Sequence, residues 1–318
     1  MSTSTVQTRM TRQAKKIQMH GWRKRLIQGW QLYLLILPAV AAIFIFHYIP
    51  IYGVQIAFKN FRPSRGIWGS EWVGLKHFIR FLSYPDFWTI MWNTVSIGLY
   101  SLATFPCAVV FALMLNELDS RKYKKTVQMV TYAPNFISTV VICSMLILFM
   151  DRSNGLINNI IDFFGGGRVD FLGKPQYFRT IYVWSGVWQG LGWGTIIYLA
   201  ALSNVSPELV EAARIDGASR MQIVWHVNLP MILPTVVIML ILSTGSIVSV
   251  GFEKIFLLQN SLNLSVSRVI STYVYDIGLI GNQFSYSAAI GLFNNVINVI
   301  LIILVNQISK RVAKISLW

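Results

Sequence analysis

The sequence predicts an all-α integral membrane protein with six transmembrane helices, and three observations carry that prediction. The first is composition: of 318 residues, 54% are hydrophobic and 12% charged, and adding the 22 glycines brings the apolar share to roughly 61%, above the 45 to 50% usual in soluble domains. The second is that the charges leave six long gaps. The third is that Lys and Arg gather on alternate connections between those gaps. A soluble globule would lack the polar surface to cover itself, and a chain this apolar is not disordered.

Stretches free of Asp, Glu, Lys and Arg run 26–58, 87–116, 126–150, 180–207, 221–252 and 277–309. Each exceeds the roughly 20 apolar residues that cross a hydrocarbon core. The span cores are placed at 32–56, 92–115, 127–150, 180–202, 233–257 and 287–308. The net charge of +15 fits either a nucleic-acid surface or a membrane protein facing anionic lipid. Residues 1–30 hold seven basic residues and no acid, and Arg23, Lys24 and Arg25 directly precede an uncharged run, as membrane-facing charges do. No nucleic-acid partner is therefore expected.

With that tail cytoplasmic, an even number of spans puts Lys310, Arg311 and Lys314 inside as well. The short second-to-third connection adds Arg121, Lys122, Lys124 and Lys125. Inner segments then carry 16 basic residues against 11 outside, in the sense that sets topology. The expected organisation is a basic cytoplasmic tail at 1–30, a membrane domain at 31–309 with a cytoplasmic loop at 203–230, and a cytoplasmic tail at 310–318. Ala39-Val40-Ala41 satisfies the small-residue rule for signal cleavage, but the apolar run continues past it, so a retained first span is expected. Cys107 and Cys143 fall inside proposed spans and are read as small core hydrophobes.

Several chemistries are missing. His20, His47, His77 and His226 are scattered and form no metal-ligand set. Gly165 to Gly167 and Gly173-Lys174-Pro175 do not give the arrangement that cradles nucleotide phosphates, so no ATP hydrolysis, catalytic residue, metal or cofactor is expected in this chain. All twelve acids lie outside the six gaps, which removes the intramembrane carboxylate that proton-coupled carriers use.

The segment Ser206 to Pro230 is the most informative. Ser206 suits the cap of a helix, Pro207 its first turn, Glu208 and Glu211 its positive end, and Gly217 a left-handed stop. These signals predict a short helix over 207–216. Leu209, Ala212, Ala213 and Val210 give it an apolar, low-profile side, while Glu211, Arg214 and Asp216 supply charged handles. That pattern suits docking in a partner's groove and equally suits a surface helix lying on its own bundle.

Glu211-Ala212-Ala213, three residues, Gly217, nine residues and then Val227-Asn228-Leu229-Pro230 together resemble the EAA loop of binding-protein-dependent ABC permeases, with Val where Ile is usual. Further segments resemble the branch that takes up complex carbohydrates: Ile49-Pro50-Ile51-Tyr52-Gly53, Ala57-Phe58-Lys59, Trp72-Val73-Gly74-Leu75, Asn93-Thr94, Leu115-Asn116-Glu117 and Tyr132 to Ser138. The resemblance implies a type I importer fold in a bacterial plasma membrane. It also implies a homologous second permease as a heterodimer partner, two ATP-binding cassette subunits, an extracytoplasmic binding protein and an oligosaccharide substrate. Glu211, Ala212, Ala213, Arg214, Asp216 and Gly217 would then form the coupling surface for the ATPase.

A sugar path needs aromatic faces and uncharged polar groups inside the spans. Trp184 and Trp188 share a helix face, with Gln189 and Trp193 nearby. Resemblance to the maltose-type permeases, whose corresponding stretches line the sugar pocket, raises Trp188, Trp193, Ser243 and Ser246, and Gln189 and Asn294 complete the candidate path. Gly186, Gly190 and Gly194 recur every four residues, a spacing read as tight helix packing. Asn294 and Asn298 share a face that should point inward. Pro134 and Asn135 either loosen the third span and leave backbone groups facing a cavity or bend a helix that its neighbours satisfy, and the sequence supports both readings equally. A six-span secondary carrier or channel working without an ATPase is the rival class, and a membrane-embedded enzyme lacks a convincing residue set.

Overall fold

A computed structural model of the chain describes residues 29–312 and 314–316. Most of the basic tail expected at 1–30 thus lies outside the described residues. The chain divides into two units at Gln55 and Ile56.

The first unit holds helix α1 (Trp30–Phe58) as far as Gln55. No residue in the Trp30–Ile51 part of it is buried, as expected of an apolar rod meant for lipid or a neighbour. A wider π-turn at Phe44–Tyr48 precedes Pro50. Proline has no N–H to give to the carbonyl four residues back, and the ladder widens just before it.

The second unit begins with a small antiparallel hairpin, β1 (Lys59–Asn60) on β2 (Glu71–Trp72), with Lys59 opposite Trp72. Helix α2 (Lys76–Leu82) follows and buries Phe81 among Phe87, Tyr273 and Tyr286. Helices α3 (Phe87–Ala103) and α4 (Pro106–Asn116) form one apolar rod of 30 residues, about 45 Å long at 1.5 Å per residue. Helix α5 (Arg121–Tyr132), capped by the Ser120 hydroxyl, leads through the tight turn Ala133–Phe136 to α6 (Thr139–Phe149).

The third predicted span is therefore not continuous: the two halves meet at 98°. Ile137 is extended and the Ser138 hydroxyl caps the second half by accepting from the Val141 amide. The break at Pro134 is thus larger than a kink.

Helices α7 (Leu156–Phe163), α8 (Pro175–Gly194) and α9 (Ile196–Leu202) come next. The fourth gap is thus helical, although its glycines, Gln189 and Ser185 keep it less apolar than the others. Helix α10 (Pro207–Ile215) and the single turn α11 (Arg220–Ile223) precede a second π-turn at Val224–Asn228, again two residues ahead of a proline, Pro230. Helix α12 (Leu229–Thr244) ends earlier than the core expected at 233–257. Residues 245–251 break the rod, and α13 (Phe252–Leu258) folds separately, its Ile255 and Leu258 packing with Ile97, Cys143 and Phe178. Short helices α14 (Leu264–Ser267) and α15 (Ile270–Tyr275) lead to the long α16 (Phe284–Val312).

Among the described residues four helices are long and apolar enough to cross a membrane, and the bent pair α5/α6 makes a fifth. Three buried clusters hold the helices of the second unit together. Phe81, Phe87, Ile90, Tyr273, Tyr286 and Ile290 tie α2, α3, α15 and α16. Ile97, Cys143 and Phe178 join α3, α6 and α8, and Val109, Leu113, Tyr198 and Ile232 join α4, α9 and α12. Where helices α3 and α8 meet other segments, Gly98 and Gly192 leave no room for a side chain. A Cβ on Gly98 would stand 1.9 Å from the Ile247 carbonyl oxygen, and one on Gly192 would stand 2.3 Å from that of Thr131.

Candidate functional site

Two features of the second unit can do work: a polar cavity among helices α3, α4, α8 and α12, and the exposed helix α10.

The cavity holds 540 Å³, within the usual range for ligand sites. Its wall carries Ser101, Thr104, Gln189, Ser243, Ser246 and Ser249, with Tyr182, Phe105 and Tyr198 as aromatic surface. Hydroxyls and an amide beside aromatic faces are what a polyhydroxylated ligand needs in place of water. The Gln189 Nε2 donates to the Ile137 carbonyl at 3.2 Å. It thereby satisfies a backbone oxygen freed where α5 and α6 part company, which is how irregular backbone is tolerated at membrane depth.

Of the six residues proposed for the path, Gln189, Ser243 and Ser246 line this cavity. Trp188 and Trp193 do not: they stand 50% and 51% exposed, and Trp193 packs edge-on to Phe136. Asn294 on α16 is also outside the lining, while Asn298 on the same face is buried and donates to the Ser249 hydroxyl, itself a wall residue. The inward face expected for the asparagines is therefore realised, but at one remove from the cavity.

The glycine stripe also differs from expectation. Gly186, Gly190 and Gly194 all lie in the cavity wall, and a Cβ on Gly190 would meet nothing within 4 Å. Their small size leaves open volume and does not bring two backbones together; Gly192, midway between two of them in sequence and so off their helix face, is the residue that does so. Sequence reasoning did not single out Lys254, which sits in the wall, 9% exposed. A larger recess of 840 Å³ lies between α4 and α12, but Val109, Leu113, Met114, Met221, Trp225 and Leu240 make it almost wholly apolar, the chemistry of a lipid or helix contact.

Helix α10 spans Pro207–Ile215, one residue shorter than expected, and none of its residues is buried. Glu211, Ala212, Arg214 and Asp216 are exposed, and Ala213 is half-buried. Ser206 occupies the cap position without a side-chain hydrogen bond, so the expected hydroxyl cap is not made. The C-terminal stop is as expected: Gly217 sits at φ +82°, its amide donates to the Arg214 carbonyl at 3.1 Å, and the Ala218 amide reaches Ala213 at 2.9 Å. These two bonds make a Schellman end.

The loop after α10 is anchored to the connection between α4 and α5. Arg220 pairs with Asp119 at 2.9 Å, and the buried Asn228 donates to Glu117 at 3.0 Å. The far end of the long rod meets a different set of loops. There Asn93 donates to the carbonyls of Ser265 and Arg268 and accepts from Arg179, and Asn263 donates to the Leu172 carbonyl.

The sequence from residue 105 to 314 matches the family described as binding-protein-dependent transport system inner membrane component. The chain belongs to that family. It is 43% identical over 288 residues, 90% of each chain, to the polygalacturonan/rhamnogalacturonan transport system permease protein YteP of Bacillus subtilis (strain 168). It is 41% identical over 292 residues, 92% of each, to protein LplB of the same organism. Among solved structures it is similar to a chain of a bacterial ABC transporter involved in the import of the acidic polysaccharide alginate, at 37% identity and TM-score 0.83. A bacterial alginate ABC transporter in complex with an alginate pentasaccharide-bound periplasmic protein matches at 36% and 0.84, and both matches cover 92% of this chain and 99% of the other.

The protein is thus an integral membrane permease subunit, and the ATP hydrolysis of such a system belongs to partner chains. Membership of this family removes the secondary carrier and the membrane-embedded enzyme as rival classes. The EAA-type loop is where the resemblance was most specific, and it lies within the matched region.

Proposed function

We propose that this chain forms half of the translocation pathway of an ATP-driven importer for oligosaccharides or polysaccharide fragments. An extracytoplasmic binding protein delivers the sugar, a homologous second permease supplies the other half of the gate, and two ATPase subunits drive it. The observation that carries the reading is the 540 Å³ cavity walled by Ser101, Gln189, Ser243, Ser246 and Ser249. The sugar-transport relatives and the oligosaccharide-loaded structural match support the same substrate class.

The membrane domain crosses the bilayer six times, with the α8–α9 segment as the fourth span and both tails in the cytoplasm of a bacterial cell. Helix α10 is the coupling helix, and Glu211, Ala212, Ala213, Arg214, Asp216 and Gly217 make its docking surface. The pairing of Arg220 with Asp119 and of Asn228 with Glu117 supports this, because it ties the α10 loop to the basic second-to-third connection, which the charge bias also assigns to the inside. ATP-driven closure of the motor subunits moves α10, and rocking of the two permeases turns the cavity from outward to inward access.

The test is uptake by the complete transporter in proteoliposomes, with ATP enclosed and oligosaccharide-loaded binding protein outside. Accumulation of the sugar that needs ATP is the expected result. Uptake that proceeds equally without nucleotide would sink the coupled-import reading.

A further inference from the structure

Lys254 is the only charged residue among the described residues that line the cavity. It is 9% exposed, its Nζ has no hydrogen-bond partner, and no carboxylate among the described residues comes within ion-pair distance of it. The face of Tyr182 lies against it, with Nζ 5.2 Å from the ring centroid. A lysine at the end of a span normally runs its stem outward and leaves the ammonium in water. This one turns inward because Ile255 and Leu258 on the same helix are locked into the cluster with Ile97, Cys143 and Phe178. Gly186 lies beside it, where an added Cβ would come to 3.4 Å from Nζ.

An ammonium in a poorly hydrated site without a counter-charge is costly, and the cation–π contact offsets only part of that cost. The remaining donors are satisfied when an anion enters. Serine hydroxyls and Gln189 suit the rest of a sugar ring, so the anion that fits is one carried on a sugar.

We propose that Lys254 is a carboxylate-binding subsite of the pathway and that the chain selects acidic oligosaccharides built from uronic acids. This rests on the carbohydrate-import reading above and specifies its substrate class. The names of two similar proteins, a polygalacturonan/rhamnogalacturonan permease and an alginate importer, point to the same charge class.

The experiment uses the complete transporter in proteoliposomes with saturating binding protein, and compares trigalacturonate with its fully methyl-esterified form. Wild type, Lys254→Met and Lys254→Arg are measured side by side, so the binding protein's own preference cancels. In Lys254→Met the ratio of acidic to esterified uptake falls on the order of tenfold or more, the size expected for losing a hydrogen bond to a charged group, and Lys254→Arg restores most of it. An equal loss on both probes makes Lys254 a structural strut and overturns the proposal, as does an unchanged ratio. Should the wild-type transporter move neither probe under ATP, the failure lies with the sugar reading itself.

Discussion

Replacing Gly217 tests the coupling helix more sharply than any other single change. The backbone there is left-handed at φ +82° and closes α10 through two bonds, Gly217 to Arg214 and Ala218 to Ala213. An added Cβ would meet nothing in this chain within 4 Å. The whole intramolecular cost of Gly217→Ala is therefore conformational, about 1 to 2 kcal/mol for an L-residue held left-handed. That cost moves the balance between closed and frayed helix end by about five- to thirtyfold. Asn tolerates the left-handed region better than Ala, so Gly217→Asn should lose less despite its larger side chain. A bulky Gly217→Leu adds a collision with whatever docks there. The assay is binding-protein-stimulated ATP hydrolysis by the purified transporter in nanodiscs, together with retention of the ATPase subunits on affinity capture. We expect Gly217→Ala to lower stimulated hydrolysis about fivefold or more, Gly217→Asn to lose less, and Gly217→Leu to shed the ATPase. Wild-type rates and retention in both the Ala and Leu variants would refute the assignment of this helix end to the motor interface.

Other changes separate the parts of the mechanism. Glu211→Ala removes an exposed carboxylate that forms no ion pair among the described residues, so it should weaken ATPase capture while leaving the melting temperature of the detergent-purified subunits unchanged. Asn228→Leu breaks the buried bond to Glu117 and should cost about 1.5 to 3 kcal/mol, seen as a lower melting temperature that Glu117→Gln only partly reproduces. Gly190→Leu fills open cavity space and removes a helix glycine worth about 1 kcal/mol; uptake should fall about tenfold or more with no loss of thermal stability. Gly98→Ala instead drives a methyl into the Ile247 carbonyl and should destabilise by about 1 to 3 kcal/mol or more, which a thermal melt would register before any transport assay.

The comparison of Gly190 with Gly98 and Gly192 shows where sequence reading reaches its limit. All three are glycines within or beside apolar windows, and their spacing alone suggested packing for the wrong stripe. Whether a missing side chain admits a neighbouring backbone or leaves a void depends on which helix lies opposite. Trp188 and Gln189 make the same point. They are adjacent in sequence, yet only Gln189 faces the cavity, because its amide is drawn to the Ile137 carbonyl left free by the bend between α5 and α6.

What the sequence determined by itself is what short-range chemistry decides. Charge-free windows must avoid water, a proline must disturb the ladder ahead of it, and a glycine after Glu211-Ala212-Ala213-Arg214-Ile215-Asp216 must end that helix. The membrane class, the bend near Pro134 and helix α10 all follow from neighbours within a turn or two. The tertiary structure alone decided the 98° angle of that bend, the early end of α12, the pairing of Asn228 with Glu117 across 111 residues, and the inward turn of Lys254. Each of these depends on surfaces that meet only when distant helices pack, beyond the reach of neighbours in sequence.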